Sequence, residues 1–164
     1  EGRIMRTDFD GFTLLNIYFP NGSSGMHRVA YKLEFYDAIF DYTNELKKQG
    51  VPLLMCGDYN TAHKEIDLAQ PELNKNTSGF LLEERTKIDW MVEHDWIDTF
   101  RVFTKDGGHY TWWDPKTFSR HRNIGWRIDY HFITEKLAAA LINSYHRPEI
   151  KGSDHCPIVI ELDL

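Results

Sequence analysis

Two β-rich runs, residues 3–9 and 12–19, flank Asp10-Gly11. An Asp-Gly step between such runs predicts a hairpin with a type I′ turn, in which both central residues take positive φ. The first run reads as an interior strand. The second, FTLLNIYF, stops at Pro20-Asn21-Gly22. From Arg28 to Gln49 apolar residues recur at Val29, Leu33, Tyr36 and Phe40, a helical period with Gly50 as its stop. Residues 51–56 are wholly apolar, as in a strand buried on both faces. They run into Gly57-Asp58-Tyr59-Asn60. Residues 61–80 lack periodicity and form a long loop, 83–93 a second helix, and 97–103 a strand. A second long loop spans 104–127. A strand over 128–133, a short helix over 134–142 on an Ala run, a loop over 150–155 and a closing strand over 157–164 complete the chain. Strands and helices mix without repeat or linker, which predicts one α/β or α+β domain over 1–164.

At 164 residues the chain is long enough for one core. No apolar run reaches the roughly 20 residues of a membrane span, so no membrane partner is expected. Two cysteines, Cys56 and Cys156, are too few for a disulfide scaffold and point to a reducing, cytoplasmic setting. The net charge of −6 argues against a nonspecific nucleic-acid coat. Locally the sign reverses: residues 116–127 hold Lys116, Arg120, Arg122 and Arg127 and no acid. Trp112, Trp113, Phe118 and Trp126 interleave with them. Cations among flat rings suit a phosphate backbone and an extruded base or abasic gap, and equally a solvated loop over a Trp-rich core.

Other candidates sit where strands end. Asp58 and Asn60 follow a buried strand, the place where open α/β sheets gather ligands, although Asp and Asn also serve ordinary turns. Asp154 and His155 lie in Gly152-Ser153-Asp154-His155-Cys156-Pro157 and offer an oxygen ligand and an imidazole. Asp129 gains meaning only if it meets His155, where a carboxylate would orient the ring. Tyr18 at a strand mouth can hydrogen-bond a developing oxyanion. Singly each signal is weak. Jointly they are what metal-assisted phosphodiester cleavage needs: a hard cation on oxygen ligands, a carboxylate for water, and amide and imidazole donors for phosphate.

These residues resemble the exonuclease III class of apurinic/apyrimidinic endonucleases, within the endonuclease/exonuclease/phosphatase superfamily. The segments that carry the resemblance are NIYFPNG (16–22), CGDYNTAHKEIDL (56–68), NKNTSGFLLEER (74–85), DTFR (98–101), YTWW (110–113), NIGWRIDY (123–130) and GSDHCPI (152–158). The resemblance implies a four-layer sandwich of two mixed β-sheets flanked by helices. It implies Mg²⁺ (or Mn²⁺) and cleavage 5′ to abasic sites in double-stranded DNA by a monomer, with 3′→5′ exonuclease and 3′-phosphatase action on 3′ blocks. Carried over, Tyr18, Asp58, Asn60, Asp129 and His155 are the catalytic residues. Asp58, Asn60, Asp154 and His155 form the metal site. Asn21, Asn74, Trp112, Trp126 and Arg127 are DNA contacts, with Trp112 and Trp126 walling the abasic pocket. Thr77 stands where the family has a further asparagine. The family's first strands, one ending in Asn and one in the glutamate that is its principal metal ligand, have no counterpart here. A C-terminal portion with little activity by itself is therefore expected. Three other readings remain open: a relative acting on lipid or inositol phosphates, a non-catalytic DNA-binding fragment, and a plain folded remnant with no function.

Overall fold

The computed structural model describes all 164 residues, Glu1–Leu164. Strands β1 (Ile4–Phe9) and β2 (Phe12–Ile17) form the expected hairpin around Asp10-Gly11. Only Gly11 has positive φ, at 94°, so the turn is not type I′. Phe9 and Phe12 stack across it with ring centroids 4.9 Å apart. Helix α1 (Met26–Lys48) follows, then β3 (Leu53–Asp58). The loop over 61–80 contains the short α2 (Pro71–Asn74) and leads to α3 (Leu82–Glu93). Next come β4 (Trp96–Asp98), α4 (Thr99–Phe103), the long loop, β5 (Asp129–Thr134), β6 (Leu141–His146) and β7 (Ile158–Leu162).

The larger sheet has the order β1-β2-β3-β5-β4. It is mixed: β2 runs parallel to β3, and the other pairs are antiparallel. Strand β1 is paired on one side only, an edge rather than the interior strand expected. Its Ile4, Met5 and Phe9 are exposed. Helices α1 and α3 cover one face of this sheet. Leu15, Ile17, Leu53, Met55, Tyr130 and Phe132 from the strands meet Tyr36, Ile39, Phe40, Ile88 and Met91 from the helices. On the opposite face Leu54 and Ile133 pack with Leu137, and Leu141, Ile160 and Leu162 of the antiparallel β6–β7 pair close over them. The sheet-on-sheet arrangement flanked by helices is thus present. No helix is long and apolar enough to cross a membrane.

Two expected elements differ. The strand over 97–103 ends at Asp98, whose side chain accepts from the Arg101 amide and caps α4. The Ala run gives only a 3₁₀ stretch, Glu135–Ala140, before the chain turns into β6, which the sequence pattern did not suggest.

Candidate active site

Asp58 closes β3 and Asp129 opens β5, and the two are direct partners in the antiparallel register. Directly opposed residues project to the same face of a sheet, so two carboxylates stand side by side. Burial and the Asp129 charge push the Asp58 carboxyl up to about 7, against an ordinary 3.8. Asp129 Oδ2 lies 2.9 Å from Nδ1 of His155. Burial opposes a charged ring, but the hydrogen bond and charge of Asp129, with Asp58 and Asp154 beyond, hold the His155 pKa above its usual value. Three residues far apart in sequence therefore converge.

The turn after β3 is built to present this cluster. Gly57 has φ +132°, and a Cβ there would lie 2.0 Å from the Ile17 carbonyl oxygen, so β2 and β3 approach closely only because residue 57 has no side chain. Phe19 donates its amide to the Asp58 carbonyl at 2.8 Å, fixing the end of β2, with Tyr18, beside the carboxylates. Tyr18 is half exposed, and the Arg3 guanidinium lies over its ring. Asn60 takes a left-handed conformation, φ 50°. Its amide donates to Asp58 Oδ1 at 2.7 Å, and its Nδ2 reaches Phe19 O and Asp58 Oδ2. Asn21 Nδ2 donates to Asn60 Oδ1 at 2.9 Å, which extends the chain of amides to the loop rim.

Isolated bridges join Trp112 to Trp126 and to His155, and Leu68 to Trp126. The two half-buried indoles thus stand together beside the cluster, against Ala62, Leu68, Phe80 and Ile128. Asp154 is exposed and accepts from Trp112 Nε1 at 3.0 Å. Burial works against its charge, but that bond and the nearby His155 keep its carboxyl below the usual range. A groove of about 590 Å³ opens next to it, between Trp113–His121 and Gly152–Asp154.

One expected DNA contact, Arg127, is placed otherwise. Arg127 is fully buried. Its guanidinium meets Asp67 at 2.7 Å and Asp98 at 2.7 Å and 3.1 Å, and lies 4.3 Å from the centroid of the Tyr130 ring. Its charge is satisfied inside the protein, so it cannot touch DNA in this conformation. Asn74 donates its side-chain amide to the Gln70 carbonyl of its own turn. Thr77 is exposed beyond it.

Sequence reasoning missed a supporting layer. Lys32 and Glu84 form a fully buried ion pair at 2.8 Å. Lys32 Nζ also donates to the Asn60 carbonyl at 2.6 Å, and Glu84 accepts from Ser78 Oγ and the Gly79 and Leu81 amides. One signal was there: Lys32 shares the buried stripe of Val29, Tyr36 and Phe40 on α1.

The donor chemistry of Asp58, Asp129 and Asp154 suits a hard divalent cation, which commonly takes one or two carboxylates and fills its remaining positions with water and phosphate oxygens. The metal site expected from Asp58, Asn60, Asp154 and His155 does not close by itself. No three of the chain's His, Cys, Asp and Glu side chains stand in a metal-holding group. Asn60 is spent on its own turn and Asp154 on Trp112.

Comparison with known proteins gives one answer. The model of the "Endonuclease/Exonuclease/phosphatase family" matches residues 1–155. A DNA-(apurinic or apyrimidinic site) endonuclease of Dictyostelium discoideum is 38% identical over the whole chain, which covers 46% of that protein. An exodeoxyribonuclease of Bacillus subtilis is 36% identical, with 65% of it covered. Among solved structures, an AP endonuclease from Archaeoglobus fulgidus superposes with TM-score 0.88 at 27% identity over 99% of this chain and 65% of that one. A 3′ phosphatase from Neisseria, solved with a product DNA hairpin, shares the fold at TM-score 0.93 and 24% identity, over 99% and 65% of the two chains. The chain spans about half to two thirds of the length of the curated relatives it matches.

Proposed function

The chain belongs to the endonuclease/exonuclease/phosphatase family, and from that premise we propose that it forms the larger part of the active site of a DNA repair phosphodiesterase that incises 5′ to abasic sites. Shortening 3′ ends and removing 3′ phosphates are the same hydrolysis at other phosphates. The observation that carries the reading is the convergence of Asp58, Asp129 and His155 at neighbouring strand mouths.

The roles follow from the local chemistry. A carboxyl held near 7 is matched to accepting a proton from water at neutral pH, which makes Asp58 the general base. The amides of Asn60 hold it in line, and Asn21 in turn holds Asn60. Asp129 favours the charged form of the His155 ring and orients it through Nδ1, leaving Nε2–H to donate to a phosphate oxygen. The Tyr18 hydroxyl at the strand mouth serves as a further donor to developing negative charge. Asp154 and the Asp58 side of the cluster would hold a Mg²⁺ or Mn²⁺, which would supply charge neutralisation at the phosphate. Trp112 and Trp126 offer apolar walls to a sugar that lacks its base.

The test is incision of an end-labelled duplex bearing one abasic site, with Mg²⁺ or with chelator. A polypeptide with the full length of the relatives is expected to incise the abasic strand, to stop in chelator, and to lose activity in Asp58→Ala. The 164 residues alone are expected to bind the duplex with little turnover, because no three acidic, cysteine or imidazole side chains group for a metal within them. Equal cleavage of intact and abasic DNA, or turnover of phosphoinositides in place of DNA, would refute the first expectation. Incision by the 164 residues at the longer protein's rate would refute the second.

A further inference from the structure

Arg120 lies in the cation-rich loop, yet its guanidinium is turned inward. Nη1 donates to the Ser153 carbonyl at 2.7 Å, and Nη2 to those of Pro148 and Ile150 at 3.0 and 2.8 Å. Its flat face lies over the Trp113 ring, 4.5 Å from the centroid. The Trp113 amide in turn donates to the Asp154 carbonyl at 3.1 Å, and its Nε1 to Asn123 Oδ1. Residues 147–154 are exposed throughout and have no buried apolar anchor of their own. No other side chain from outside this segment donates to the backbone carbonyls between 148 and 153. These residues lead directly into Asp154 and His155. A lone arginine fork therefore supports the backbone that carries two residues of the candidate site.

Two readings of such an arginine differ. A phosphate contact would keep its terminal donors free for DNA. Here three of the four terminal N–H groups are spent on carbonyls, and Nε is buried without a partner. We propose that Arg120 is a positioning residue. It clamps residues 148–153 so that Asp154 and His155 stay in register with Asp129, and it makes the cation-rich loop and the catalytic turn one mechanical unit. DNA gripped by the exposed Lys116 and Arg122 on the same loop then bears on the turn through this clamp. The proposal rests on the nuclease reading for its catalytic meaning. Its structural content is tested separately.

Arg120→Lys and Arg120→Met are compared with the unaltered chain by amide hydrogen exchange and by the ring N–H proton signal of His155. In both variants the Ile150, Trp113 and Cys156 amides are expected to exchange about tenfold faster or more, since local opening sets their protection. The Met55 and Phe132 amides of the central sheet should not change. The His155 ring signal should shift or broaden. Lysine should fail to restore protection, because one ammonium cannot reproduce a planar fork across three carbonyls. Affinity for an abasic duplex should keep its salt dependence. Unchanged exchange in both variants would overturn the proposal, and so would full protection in Arg120→Lys. A salt slope reduced by about one phosphate contact, with exchange unaltered, would make Arg120 an ordinary DNA contact. Should Arg120→Met lose core protection as well, Arg120→Lys decides. If the unaltered protein fails to bind abasic DNA while exchange responds as expected, the nuclease reading falls and the clamp stands.

Discussion

Replacing Asp58 with asparagine should make the protein more stable while removing the group proposed as its general base. The Asp58 carboxyl is raised to about 7 from 3.8 by burial and by Asp129 across the strand pair. A folded-state pKa above the unfolded one means that the folded state holds the proton more tightly. The stabilisation is fully present below about pH 3.8 and is lost as pH rises through about 7. Above that pH the fold bears the cost of an ionised carboxylate in a poor place. At about 1.4 kcal/mol per pKa unit the upper limit of that cost is about 4 kcal/mol. Asparagine has the same shape and keeps an Oδ1 acceptor for the Asn60 amide, now 2.7 Å from Asp58 Oδ1. Asp58→Asn should therefore be more stable than the unaltered chain at pH 8 by about 1–4 kcal/mol, and the gain should shrink by about 3 kcal/mol between pH 8 and pH 4.5. Urea unfolding at the two pH values measures it. With a slope of about 2 kcal/mol per molar, the shift in midpoint at pH 8 is about 0.5–2 M. No gain at pH 8, or the same gain at both pH values, would show that burial and the opposed Asp129 do not raise the Asp58 carboxyl.

Lys32→Met should cost about 3–5 kcal/mol, because it strands the buried Glu84 charge; adding Glu84→Gln should restore a good part, and thermal melts of the single and double variants test the coupling. Gly57→Ala should cost about 3 kcal/mol or more, since its Cβ would meet the Ile17 carbonyl at a backbone angle hostile to side chains; a loss under about 1 kcal/mol in urea would mean that the two strands part easily. The raised His155 pKa gives a stabilisation present below its ordinary 6.5 and lost as pH climbs through the folded value. His155→Gln should flatten that fall in a melting curve taken against pH, and an unchanged profile would detach His155 from Asp129.

What could be read in the sequence was local. Gly-Asp-Tyr-Asn, Asn-Ile-Gly-Trp-Arg-Ile-Asp-Tyr and Ser-Asp-His-Cys-Pro each announce a strand mouth, because turn chemistry and strand periodicity lie within a few residues. That Asp58 opposes Asp129 depends on the pairing of β3 with β5, two strands 70 residues apart, and no local pattern names a partner strand. Arg127 shows the same gap. Among neighbouring cations it looked like a DNA contact, but its counter-charges Asp67 and Asp98 arrive from two other segments and draw it inside. The strand assigned over 97–103 failed where one side-chain cap, Asp98, outweighed β-propensity. Strand β6 was hidden because Ala residues before it favour helix, while its own pairing comes from β7.

The Asp129–His155 hydrogen bond joins different layers. Asp129 belongs to the five-stranded sheet, and His155 to the connection between β6 and β7 on the other sheet. A slip of about 1 Å between the layers is enough to cost about a hundredfold in rate, while it uncovers almost none of the apolar surface that keeps them stacked. Warmed gradually, such a molecule should lose the Asp129–His155 contact, and with it any turnover the site supports, before a calorimeter records the melt.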